Sequence, residues 1–268
     1  MRALLIGIFM MIAVSPVHAC GSDSDCMVGD RSFRIAMPDG YDGSRPVPVV
    51  VFAHGYRGTA AGVMRNRSLR RMVSDLGAAL IALNANNGSW MLPNHPRDQD
   101  NTGAEEFAYV DAVLEKAADD FNLDMERVMA TGFSAGGMLV WNLACTRSDR
   151  IAVFAPIAGT FWKEPPKTCV DPVASIIHIH GDADKTVPLE GRAIGPTKQG
   201  EVVEALSMYR AYGGFGPWSS DTYGGLRCER TDNTAGDIMK FCLFSGGHSF
   251  RTEHVRFAWE VFRKAGQI

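Results

Sequence analysis

Short apolar runs recur along the chain at intervals that leave room for helices. Residues 32–37 read as a strand, and residues 38–43, Pro-Asp-Gly-Tyr-Asp-Gly, as turns. Residues 47–53 form a continuous apolar run of buried-strand length, and further short runs follow at 78–83, 127–131, 152–158, 175–180 and 239–244. Between them, residues 105–122, 135–146 and 201–212 carry apolar positions at helical spacing. Strands that are apolar throughout and alternate with helices predict an α/β fold, a mostly parallel sheet covered by helices on both faces. The Gly-rich stretch from Gly213 to Gly225 reads as a surface loop. No linker, charge block or repeat divides residues 20–268, which are therefore expected to form one domain.

The first 19 residues break this pattern. Arg2 is followed by an apolar run over 3–14, then Ser15-Pro16 and Val17-His18-Ala19, the layout of a cleavable secretory signal ending at Ala19. A dozen apolar residues fall short of the roughly 20 needed to span a bilayer, which weakens the reading of a membrane anchor. Lipidation of Cys20 is weakened by Val17 and His18, which fit a lipoprotein cleavage box poorly. A secreted or periplasmic location follows. It changes how the six cysteines read, because an even count in an oxidising compartment favours disulfides. Sequence proximity pairs Cys20 with Cys26, Cys145 with Cys169 and Cys228 with Cys242. A zinc site is disfavoured, since no C-x-x-C pair occurs. The 27 basic and 30 acidic residues leave a net charge of −3, without the basic footprint of a nucleic-acid binder.

The strongest chemical signal is Gly132-Phe133-Ser134-Ala135-Gly136-Gly137, a G-x-S-x-G between the strand at 127–131 and the helix at 135–146. In that context it is a nucleophile elbow, whose small flanking residues permit a sharp turn that lifts a serine hydroxyl above the sheet at a helix N-terminus. Serine at neutral pH needs a base, and the base an orienting carboxylate, expected downstream in the order Ser, Asp, His. The segment His180-Gly181-Asp182-Ala183-Asp184 puts two carboxylates at the C-terminal end of the strand at 175–180, and Asp184 is preferred to Asp182. Gly246-Gly247-His248, after the strand at 239–244, supplies His248 as base. His54-Gly55-Tyr56 follows the strand at 47–53, where such enzymes place a second oxyanion-hole donor. The expected donors are the backbone N–H groups of Tyr56 and Ala135, with the His54 ring structural.

Other residues carry competing readings. His178, His180, Asp182 and Asp184 imitate a metal-ligand spacing but would have to converge across a loop, so no metal is expected. His95 and His254 read as surface residues. Trp90, in Asn87-Gly88-Ser89-Trp90, either stacks on substrate or closes its loop onto the core, and Phe161-Trp162 either packs into the core, the favoured reading, or offers Trp162 as a second substrate wall. Arg65, Arg67, Arg70 and Arg71 read as a solvated helix face outside the site.

The chain resembles the secreted α/β-hydrolase esterases known as poly(3-hydroxybutyrate) depolymerases and feruloyl esterases, from about Asp30 to Phe250. The resemblance rests on residues 37–42, His54-Gly55, the elbow at 132–137, Ala155-Pro156-Ile157-Ala158-Gly159, His180-Gly181-Asp182-Ala183-Asp184 with Val187-Pro188, and Gly246-Gly247-His248. It implies an α/β-hydrolase fold, the triad Ser134, Asp184 and His248, and cysteine pairs like Cys145–Cys169 and Cys228–Cys242. Where the family often continues with Trp-Pro after Gly-Gly-His, this chain has Ser249-Phe250-Arg251, a different rim beside the base. Residues 20–268 also leave no room for a polymer-binding domain. The expected activity is that of a serine carboxylic-ester hydrolase acting through an acyl-enzyme on a soluble ester, such as a hydroxyalkanoate oligomer or a feruloyl or aryl ester, with no cofactor. A peptidase of the same fold and a non-catalytic binding module are the alternatives.

Overall fold

The computed structural model of the protein describes residues 20–170 and 172–268, so the expected leader at 1–19 lies outside the described residues. The strands are β1 (Cys26–Val28), β2 (Arg31–Ala36), β3 (Val47–Ala53), β4 (Ala79–Leu83), β5 (Leu123–Phe133), β6 (Val153–Ile157), β7 (Ser175–Gly181), β8 (Arg192–Ile194), β9 (Thr197–Gln199), β10 (Ser219–Tyr223), β11 (Leu226–Asp232) and β12 (Ile238–Phe244). The helices are α1 (Ala60–Arg65), α2 (Arg67–Asp75), α3 (Ala104–Asp120), α4 (Ala135–Thr146), α5 (Val202–Tyr212) and α6 (Thr252–Lys264). One sheet runs in the order β1-β2-β4-β3-β5-β6-β7-β12-β11-β10, and β8 and β9 form a separate ribbon. From β4 to β12 neighbouring strands are parallel, while β1, β2, β11 and β10 pair antiparallel at the two ends.

Side chains of β3 show why its run is apolar throughout. Val49, Val51 and Ala53 join a core with α3, α4 and α5 on one face, while Val50 and Phe52 join a second core with α1, α2 and α6 on the other. With both faces covered, period-two alternation disappears and only run length identifies the strand.

Three disulfides close the expected pairs, Cys20–Cys26, Cys145–Cys169 and Cys228–Cys242. The last joins directly opposed residues of β11 and β12. The stretch expected as a surface loop instead contains β10, which turns through Gly224-Gly225 and pairs with β11. Its polar composition suits an edge strand with few buried side chains, and the Gly-Gly pair between two paired strands is a two-residue hairpin signal.

His254 corrects a second expectation. It lies in the first turn of α6, buried against the Phe244 ring at 4.8 Å rather than at the surface. Burial first, then the charge of Arg251, pushes its pKa down to about 4. An unfolded chain binds this proton below about pH 6.5, but the folded chain stays neutral there until about pH 4, so the unfolded state holds more protons between those values. Stability is therefore expected to fall as pH drops from 6.5 to 4. Thermal melts across this range should show His254→Phe losing less stability than the parent; identical slopes would contradict this.

Candidate active site

Ser134 occupies the single step between β5 and α4, at φ +59° and ψ −120°, a conformation side chains seldom adopt. The strain is held by backbone packing: Ser134 N–H donates to Ile157 O at 2.9 Å, and Gly136 brings α4 so close to β3 that a Cβ there would collide with Ala53 O. Gly136→Ala is expected to cost about 3 kcal/mol or more, or to push the elbow out of place. A melting temperature and activity both close to the parent's would refute that packing argument.

Asp184 and His248 are brought together by two loops laid over one another. Gly181, at the end of β7, lies under Gly246 and Gly247, leaving no space for a side chain. Asp182 accepts from Gly246 N–H at 3.0 Å and from Arg227 Nη2 at 2.8 Å, stapling the second loop to the first. His248 Nδ1–H donates to Asp184 Oδ2 at 2.6 Å, so Asp184 is the carboxylate on the ring and Asp182 the one beneath its loop. Asp184 Oδ1 accepts from the N–H groups of Thr186 at 2.8 Å and Val187 at 2.9 Å. Burial alone would raise the Asp184 pKa. The hydrogen bonds from His180, His248 and these two amides outweigh it and hold the carboxyl well below the usual carboxylate range.

His178 and His180 form a buried chain behind that carboxylate. Trp141 Nε1–H can only donate, so His178 Nδ1 accepts, at 3.1 Å, and the neutral ring carries its proton on Nε2. That N–H donates to His180 Nδ1 at 2.9 Å, which puts the His180 proton on Nε2, 2.8 Å from Val187 O and 3.4 Å from Asp184 Oδ2. Burial, then the neighbouring His180, keeps the His178 pKa well below its ordinary value. No ring lone pair is left over for a metal.

The His248 ring lies 4.6 Å from the ring of Phe133, the residue before Ser134, and Phe250 packs on both Phe133 and Phe52. Phe250 thus belongs to an aromatic wedge behind the His248 imidazole, which is how the Ser-Phe-Arg departure is accommodated. Among the described residues the Ser134 hydroxyl is hydrogen-bonded neither to His248 nor to another side chain. The loop after β3 reaches the elbow at Gly55, whose modest gap to Phe133 O and Ser134 Cβ puts Tyr56 beside the serine. No side chain caps the N-terminus of α4, where Ala135 supplies the first N–H. His54 is structural, its Nδ1–H donating to Gly55 O at 2.8 Å and its Nε2 accepting from Ala85 N–H at 3.2 Å.

A cavity of about 350 Å³ opens at Ser134 and Ala135, and both sequence-expected tryptophans line it. Trp90 is only 2% exposed. Its Nε1–H donates to His54 O at 2.8 Å, so it closes its loop and forms a wall at once. Trp162 stands edge-on to His95 at 5.9 Å. His95 is not a surface residue: it is buried in the cavity wall, accepting from Arg97 N–H at 3.2 Å and bonded to Ser89 Oγ at 3.0 Å. Sequence reasoning missed it because the 84–103 loop carries no periodic signal. Arg97, in the same loop, and Arg192 and Gln199, on the three-residue strands β8 and β9, also line this cavity; strands that short carry no readable alternation. Arg67, Arg70 and Arg71 line a separate groove that Ser134 does not touch.

A mostly parallel sheet, a strained serine between strand and helix, and an aspartate-held imidazole at the same sheet edge make this the α/β-hydrolase fold. No protein-family model matches the chain. It is similar to feruloyl esterase C of Emericella nidulans, 28% identical over 207 residues, covering 71% of this chain and 73% of the relative. The probable feruloyl esterase C of Aspergillus flavus is 25% identical over 263 residues, covering 91% of this chain and 90% of the relative. Among solved structures, acetyl xylan esterase from Aspergillus awamori superimposes with a TM-score of 0.61 at 13% identity, covering 89% of this chain and 95% of that one.

Proposed function

We propose that the protein is an exported carboxylic-ester hydrolase working through an acyl-enzyme on Ser134, with residues 20–268 as one catalytic unit. The observation that carries this reading is the 2.6 Å hydrogen bond from His248 to Asp184 beside the Ser134 elbow. Ser134 Oγ attacks the ester carbonyl while His248 Nε2 takes its proton, and Asp184 stabilises the imidazolium that forms. The N–H groups of Tyr56 and Ala135 receive the oxyanion, and His248 returns the proton to the leaving alkoxide. Water then repeats the sequence to free the acid. Serine–imidazole hydrogen bonds of this kind often close only in the substrate complex. Trp90 and Trp162 flank the substrate. Feruloyl esterase relatives support an ester as substrate, and three disulfides support an oxidising compartment. Among the described residues no helix is long and apolar enough to cross a membrane.

Assaying short-chain acyl, feruloyl and hydroxybutyrate-oligomer esters beside matched peptide amides tests this. Hydrolysis of at least one ester class with amides at background is the expected result. Amide turnover exceeding ester turnover would overturn it.

A further inference from the structure

The cavity at Ser134 has an unusual charge balance for an acidic chain. Among the described residues no Asp or Glu lines it, and the charged residues that do are two arginines, Arg97 and Arg192. Each is anchored through one donor to a neutral group. Arg97 Nη2 donates to Tyr56 OH at 3.1 Å, and Arg192 Nε donates to Oε1 of the buried Gln199 at 3.0 Å. Among the described residues neither guanidinium has a carboxylate within 4.0 Å. Arg31, by contrast, sits on Glu106, Arg147 on Asp111 and Arg227 on Asp182. Other arginines such as Arg57, Arg210 and Arg251 also lack a carboxylate partner among the described residues, so it is the placement of Arg97 and Arg192 at the cavity that sets them apart. A guanidinium offers five donors in a fixed fork that matches a carboxylate, and here most of them remain uncommitted.

The rest of the lining sets the body of the ligand. Trp90, Leu92, Met138, Val187 and Ile194 give an apolar wall. The remaining polar groups are largely spent on one another, His95 with Ser89 and Gln199 with Arg192. The positive potential also reaches Tyr56, whose phenol is drawn below its usual range by hydrogen bonds and charge from Arg57 and then Arg97.

We propose that the ester accepted by this cavity carries a carboxylate on an apolar body, with Arg97 and Arg192 as the residues that select it. This rests on the esterase reading above and adds the substrate class to it. The carboxylate lies on either the acyl or the alcohol side of the scissile bond, and two matched pairs separate those cases: monomethyl adipate against methyl hexanoate, and 3-carboxyphenyl butyrate against phenyl butyrate.

In one pair kcat/KM is expected to favour the charged ester by about tenfold, chiefly through KM, with the advantage shrinking as salt rises from 0.01 to 1 M. In R97Q/R192Q the ratio within that pair should fall to near one. Equal or better hydrolysis of the neutral member in both pairs, a preference insensitive to salt, or a preference that survives in R97Q/R192Q overturns the inference while leaving the esterase reading intact. Failure of the parent protein to hydrolyse any of the four esters counts instead against the esterase reading, and the substrate class falls with it.

Discussion

Replacing Ser134 with alanine is expected to lower kcat for ester hydrolysis by about 10⁶-fold, the scale seen when a serine nucleophile is removed from a triad. The melting temperature should stay within a degree or two of the parent's. The φ of +59° at this position is enforced by Ile157 O and by the approach of α4 to β3. Alanine keeps the Cβ and therefore meets the same backbone strain as serine. The Ser134 hydroxyl holds no hydrogen bond among the described residues whose loss would destabilise the fold. A loss of activity accompanied by unfolding would assign Ser134 a structural role, and retained activity would place the nucleophile elsewhere.

The second large effect separates two carboxylates that lie two residues apart. Asp184→Asn is expected to reduce kcat by about 10⁴-fold, because an amide nitrogen facing His248 Nδ1 forces the imidazole into the wrong tautomer. The same change removes the acceptor charge held in place by Thr186, Val187 and His180. Asp182→Asn should cost less than about tenfold. Its Arg227 partner is 60% exposed, and such pairs contribute about 1 kcal/mol or less. An asparagine oxygen there still accepts from Gly246 N–H. Parallel steady-state kinetics on the two variants check this, and equal losses would contradict the division of roles.

The sequence revealed the centre of the sheet more clearly than its ends, for a physical reason. Strands β3, β4 and β6 are covered on both faces, so nearly every residue is apolar and the run itself is the signal, while β7 carries Ile176, Ile177 and Ile179 around its buried, hydrogen-bonded histidines. At the margin, β10 has little to bury and reads as loop, and only the Gly224-Gly225 hairpin pair marks it. Helix α6 was not read from the sequence, although Val255, Ala258, Trp259 and Phe262 recur at helical spacing on its buried face.

The same contrast holds at the site. The elbow is local chemistry, with Gly136 and Ser134 specified by one turn, and is legible in six residues. Asp184 and Asp182 were distinguishable only weakly, because their roles depend on which of them faces a loop 64 residues further on. Nothing near His95, Arg97 or Arg192 in the chain announces a cavity wall. These residues meet because the 84–103 loop and the β8–β9 ribbon both fold over the sheet edge that carries Ser134.

Labelling with an active-site-directed phosphonate, followed by peptide mass mapping, tests the nucleophile most directly. The account predicts one phosphonyl group per chain on the peptide carrying Ser134, with ester hydrolysis lost in proportion to labelling and labelling slowed sharply in Asp184→Asn. Phosphonylation at another residue with loss of activity, or full ester hydrolysis by protein already labelled at Ser134, would contradict it.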